Sequence, residues 1–190
     1  MFIKTESEGL YRQYVEQSIN SAYSDRSKEL KTRAEVIQGD QDFQTEDVFE
    51  NPKDTVAYHK AKTAAGKYVN FLIENTSAAQ SILSIQNTDH SVSHHLVNVA
   101  TLALATELKI FDDKQKQILT LGCLLHDFGH FDKGVINIIY QHEELVNGEG
   151  PLWLREKDQD PLAVVASTAN ALDRILLYEG QDHSKALKSF

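Results

Sequence analysis

Cysteine is all but missing from this chain: Cys123 stands alone in 190 residues. That excludes a disulfide framework and a thiolate zinc site, and it fits a reducing compartment. Proline is nearly as scarce, with three residues: Pro52 and Pro161 fall where a helix is expected to begin, and Pro151 in a loop. Basic charge is also short, since 19 Lys and Arg face 28 Asp and Glu for a formal net charge of -9. A nonspecific nucleic-acid binder needs a basic face to displace counterions, so that role is excluded; an anionic substrate held through metal ions is not. Uncharged apolar runs of about 18 residues or more are absent, which argues against a membrane span. The opening residues Met1 to Glu6 lack a signal-peptide pattern, so the expectation is a soluble, cytoplasmic protein. Strand alternation and internal repeats are missing too.

What is present is helical periodicity and enough apolar content, 41%, for a substantial core. Leu10, Tyr14, Val15, Ile19, Ala22 and Tyr23 recur at spacings of three and four, predicting helix from Gly9 to about Ile37. Gln38 to Asn51 carry Gly39 and many acids without that period, and read as a connector. This sets a boundary: residues 1–51 as an N-terminal regulatory or partner segment, residues 52–190 as the main helical domain. Asn51-Pro52 predicts an N-cap and first helical position. Helical patterns follow through Val56 to Leu72, Ala78 to Ile85, and Ser91 to Thr106 with His95 heading an apolar stripe. Asp112 or Asp113 caps the next helix, which leads into Leu124, Leu125, His126 and Asp127, with Gly129 as its stop. Val135 to Leu145 is read as a helix despite its β-branched content. Asn147-Gly148-Glu149-Gly150-Pro151 is the clearest loop, and Asp160-Pro161 opens a last helix reaching about Tyr178. The fold class is all-α.

An imidazole and a carboxylate at the end of an apolar run are costly to bury unless a partner or a cation compensates. Four helical segments each bring candidate ligands to an apolar face: His95, then His126 with Asp127, then His142, then Asn170 with Asp173. Facing helices that supply nitrogen and carboxylate ligands are how bundles build binuclear centres, and the mixture suits iron, manganese or zinc. Taken singly, each has a plainer reading: His95 beside His94 as one core and one exposed histidine, Asn170 as a helix-interior amide, and Asp173 with Arg174 as an ordinary surface pair.

These residues resemble the HD-GYP branch of the HD-domain phosphohydrolases over roughly Pro52 to Tyr178. Asp89 to Ala100 is similar to the family's helix with a His-Ser-x-Arg/Asn-Val motif. Leu125-His126-Asp127-Phe128-Gly129-His130 is similar to Leu-His-Asp-Ile-Gly-Lys. Gln141-His142-Glu143 through Pro151 is similar to His-His-Glu-Arg-x-Asp-Gly-x-Gly-Tyr-Pro, and Val164 through Asp173 to the closing Val-Ala-Asp-x-Tyr-Asp helix. The resemblance implies a helical bundle around two divalent ions, commonly iron or manganese, with His95, His126, Asp127 and His142 at ligand positions and Asn170 in the place of a ligand aspartate. It implies hydrolysis of cyclic di-GMP in bacterial signalling by in-line attack of a metal-bridging hydroxide, with Asp127 central to the chemistry. His130, Gly148 and Gly150 then fall where substrate is contacted.

The departures are specific. No tyrosine stands between Gly150 and Pro151, Gln141 replaces the first histidine of a pair, and His130 replaces a lysine. Ser91 stands where members with a third metal have a glutamate, which favours two ions. Only a short stretch separates Asp127 from Gln141, where the family has a further helical hairpin with another ligand histidine. These losses keep a second function open: a weak or inactive relative that binds metal and acts as a signalling interaction module, with GGDEF-type proteins as possible partners.

Overall fold

The computed structural model describes residues 8–75, 77–85, 92–107, 110–127 and 133–178. Among them are eight α-helices and no strand: α1 (Glu8–Ser24), α2 (Leu30–Glu50), α3 (Thr55–Glu74), α4 (Ala78–Leu83), α5 (Val92–Glu107), α6 (Asp113–Leu124), α7 (Lys133–Gln141) and α8 (Pro161–Tyr178). No helix among the described residues is long and apolar enough to cross a membrane. The all-α class expected from periodicity is the class observed.

Helix α5 is central because it is apolar on every side, the pattern of a helix surrounded by others. Leu96, Val97, Val99, Ala100, Leu102, Ala103 and Leu104 are all buried, and α2, α6 and α8 pack around them. Each leucine so buried contributes about 1.5–3 kcal/mol. That driving force carries several polar side chains inside with it, and they are paired there. Thr101 meets the Tyr68 hydroxyl at 2.5 Å, Ser93 donates to Glu46 Oε1 at 2.8 Å, and His94 Nδ1 meets Gln38 Nε2 at 2.7 Å.

The connector expected over 38–51 is instead the second half of α2. Its buried positions are Arg33, Ala34, Ile37, Gln38, Asp40, Gln41, Thr45 and Val48, and most of them step by threes and fours like an amphipathic stripe. The stripe is written largely in polar residues, so a search for apolar periodicity passes over it. Several of their polar groups are bonded inside: Gln41 donates to the Tyr23 hydroxyl at 3.0 Å, and Gln38 Nε2 meets His94 Nδ1. Arg33 donates to the Ala22 and Tyr23 carbonyls at 2.7 and 3.0 Å, closing the free end of α1, while its guanidinium lies 5.2 Å from the Phe71 ring centre. Gly39 is exposed, and a Cβ there would meet nothing within 4 Å, so it is a harmless glycine on the outer face. The expected single helix to Ile37 is thus two, broken at 25–29.

The cap expected at Asn51-Pro52 lies three residues later. Asn51 closes α2, its N–H bonded to the Asp47 carbonyl, and Asp54 caps α3 by accepting from Val56 N at 2.7 Å. Asp112 does cap α6, in a reciprocal box with Gln115. Helices α6 and α7 approach so closely that a Cβ on Gly122 would lie 3.0 Å from Ile138 Cβ and Cγ2, with Ile138 Cδ1 nearer still. Gly122→Ala is expected to force these two helices apart and destabilise the protein by about 1–3 kcal/mol, read as a lowered urea midpoint; an unchanged midpoint would show that Ile138 swings aside without cost.

Candidate metal centre

Helix α6 stops at Leu124, so His126 and Asp127 lie in the turn after it and not on the helix, as the apolar run suggested. The cause is the histidine itself. His126 Nδ1 lies 2.7 Å from the Cys123 carbonyl, one of the four carbonyls that a helix end leaves without an internal partner. The same device ends α7 at Gln141, short of the expected Leu145: His142 Nδ1 lies 2.6 Å from the Ile139 carbonyl. Both bonds run from residue i to i−3.

A carbonyl only accepts, so Nδ1 carries the hydrogen in both rings, and in a neutral ring Nε2 then keeps its lone pair. His95 reaches the same state differently, its Nδ1 lying 2.5 Å from Oδ2 of Asp173 on α8. Three imidazoles thus each have one nitrogen engaged and the other available. They sit together: ring centres are 5.6 Å apart for His95 and His126 and 4.9 Å for His126 and His142. One ligand atom from each of His95, His126 and Asp127 falls within 4.8 Å of the others. Asp127 Oδ1 is 3.5 Å from His126 Nε2 and 3.7 Å from His142 Nε2.

His126 is 1% exposed, and its Nε2 has no hydrogen-bond partner among the described residues. Burial pushes its pKa down to about 4, against the opposing influence of the Cys123 carbonyl and the Asp127 carboxylate, so the ring is neutral at pH 7. A neutral imidazole with a buried, unengaged lone pair is what a metal ligand requires. The C-terminal ends of α6 and α7 both point their negative dipole ends here, which also favours a cation.

Asn170 is buried, and its Oδ1 lacks a partner among the described residues. Asp173, one turn further along α8, is wholly buried and bonded to His95; the surface pair with Arg174 is therefore corrected, Arg174 standing 3.9 Å from Glu143 instead. The signal is present in the sequence, because Asn170 and Asp173 share a face three residues apart on an apolar helix. Gln141, in place of a family histidine, accepts from Asp160 N at 2.8 Å and so fixes the start of α8. Glu144 escapes the sequence reading altogether. It is buried, and its carboxylate accepts from Leu154 N at 2.8 Å and from Leu152 N, clamping the loop after α7. Gly148 has φ 84°, a left-handed conformation that suits glycine. A Cβ on Gly150 would lie 2.7 Å from Glu144 Cα. Both glycines are thus used by the loop's own backbone. His130 and Ser91 lie outside the described residues.

Among solved structures, the chain is similar to Bd1817, a HDG"Y"P protein from Bdellovibrio bacteriovorus, with 44% identity and a TM-score of 0.87 over 94% of this chain and 72% of that one. The chain belongs to the HD-GYP family. No family model and no curated protein matches it. The bundle of this HD-GYP chain is the HD-domain architecture expected from the motifs.

Asp173 sets both the orientation and the tautomer of His95. Asp173→Ala is expected to lower metal affinity by about 10–100-fold, with Asp173→Asn falling between it and the parent because the amide oxygen still accepts from Nδ1. Metal titration of refolded, metal-free protein checks this; equal affinities in all three would remove Asp173 from the account.

Proposed function

We propose that this HD-GYP protein is a metal-dependent phosphodiesterase that hydrolyses cyclic di-GMP, acting in the cytoplasm in bacterial signalling. The observation that carries the reading is the common state of the three histidines: each Nδ1 is tied to a protein acceptor and each Nε2 is left over, grouped around the Asp127 carboxylate. Helix-end capping accounts for the state of His126 and His142; that His95 shares it through a carboxylate, and that the three rings cluster, is what ligands to a shared centre show.

The donor set fits two divalent ions. His95, His126, Asp127 and His142 would hold them, with Asn170 Oδ1, buried and without a partner among the described residues, as a further oxygen ligand. Nitrogen and oxygen donors without thiolate suit iron or manganese. Such ions, when bound, supply an activated water and neutralise phosphate charge for an in-line displacement. The protein's share is positional. Asp127 is the cluster's exposed member, its side chain 36% accessible, so it faces the side from which substrate arrives and stands between His126 and His142. His126 and His142 are fixed by their helix ends, His95 by Asp173, and little reorganisation is needed on binding. His130, Gly148 and Gly150 are the positions that the motif resemblance assigns to substrate contact in this reading.

One observation favours the second reading, an interaction module with little or no turnover, for which GGDEF-type proteins are the proposed partners. Gln141 is committed to Asp160 N, so the position of a family histidine is occupied by a structural amide, and substrate handling is weaker with no tyrosine before Pro151. Misplacement by an ångström costs about a hundredfold in rate. Protein loaded with iron or manganese, its metal content measured, should hydrolyse cyclic di-GMP slowly to a linear dinucleotide or GMP, and Asp127→Ala should lose both metal and turnover. Two ions per chain with no turnover on any cyclic dinucleotide would reject the enzyme and leave the interaction module.

A further inference from the structure

Trp153 is the chain's single tryptophan, and it stands in an unusual position. It is 81% exposed and holds φ 56°, a left-handed conformation that bulky residues rarely adopt. No other described non-glycine residue has a positive φ. Such strain persists only where the surroundings fix the backbone, and it concentrates at functional sites. Here the surroundings do fix it. The Glu144 carboxylate accepts from the N–H groups on either side, Leu152 and Leu154. Trp153 N bonds the Gly150 carbonyl at 3.1 Å, Gln159 Nε2 donates to the Leu154 and Leu145 carbonyls at 2.7 and 3.0 Å, and Asn147 pairs with Arg155 in a short antiparallel bridge. The loop therefore spends many hydrogen bonds to present one indole that buries almost nothing.

The clamp also ties the loop that carries the indole to the segment that carries His142. Glu144 lies two residues after His142, so one side chain joins the ligand segment to the backbone that carries Trp153. We propose that Trp153 is a stacking platform for a nucleobase of the substrate, a binding subsite beside the metal centre; the identity of the ligand rests on the phosphodiesterase reading above. A phosphodiester held at the ions has its base one sugar away, and an aromatic ring on a backbone held by hydrogen bonds collects it. Every base has a π face, so the platform recognises nucleotides as a class. Leu152, half-exposed beside it, extends the apolar surface.

The single tryptophan makes the test direct. Emission of the metal-loaded protein is titrated with cyclic di-GMP, with GMP, and with ribose 5-phosphate, which has the phosphate and no base. The first two should change the emission and the third should not. Trp153→Ala should raise KM roughly 5- to 100-fold, the range of one base–aromatic stack, with kcat, metal content and Tm little changed, and Trp153→Phe should recover most of the loss. Hydrolysis with an unresponsive tryptophan and an unchanged KM in Trp153→Ala would overturn the subsite and leave the phosphodiesterase standing. Absent hydrolysis with emission still answering to cyclic di-GMP and GMP would support the subsite and reject the activity. An equal response to ribose 5-phosphate would overturn stacking, because the base would then be irrelevant.

Discussion

The centre depends on where three protons sit. Nδ1–H of His126 and of His142 is taken by a carbonyl at the end of the helix just completed, and Nδ1 of His95 meets a buried carboxylate from another helix. These bonds do two things at once. Those of His126 and His142 satisfy helix-end acceptors that would otherwise be costly inside the protein, and in all three rings the bond occupies Nδ1 and turns Nε2 to the cluster. Capping and ligand preparation are the same interaction, so the fold cannot finish α6 and α7 in this way without also preparing the site. The close approach at Gly122 and Ile138 then sets how far apart the two helix ends, and hence the two imidazoles, stand.

The N-terminal helices reach this centre through α5. Gln38 of α2 bonds His94, and Glu46 of α2 accepts from Ser93, the two residues immediately before His95. Register of α5 against α2 therefore governs where His95 begins its reach toward Asp173. These two contacts join residues 1–51 to the helix that carries His95. Core residues run from Ala22 to Ala169 without interruption at residue 51, so that connection runs through packed side chains.

What is legible in the sequence follows from how the information is written. The apolar helices, the Asp112 cap and the loop at Asn147 to Pro151 are local signals, readable from spacing and residue type. The ligand set of His95, His126, Asp127 and His142 comes from motif resemblance; spacing alone leaves each histidine with an ordinary core reading. The second half of α2 is hidden because Gln38, Gln41 and Thr45 occupy its buried face, and a polar residue on a helix looks solvent-facing until its tertiary partner is known. Asp173 is masked by its neighbour Arg174, although adjacent residues on a helix point about 100° apart. Glu144 has no local signal at all: its two hydrogen bonds close a loop eight and ten residues long, and only the closed loop shows what the carboxylate is for.

An acidic chain, at formal charge -9, is an awkward host for an anionic substrate unless its charge is locally reversed. Divalent ions at the cluster are the available means, and the chain's own charges are arranged to retain them. Asp127 is at the rim, the carboxylate of Asp173 stands behind His95, and two helix C-termini converge from α6 and α7. Each favours a cation and none favours a phosphate. In the proposed reading, metal loading precedes substrate binding, since without ions the acidic cluster repels an anion. The apolar face offered by Trp153 fits the same division of labour: the ions meet the charge, and the protein meets the uncharged base, the one part of a nucleotide that an acidic surface does not repel.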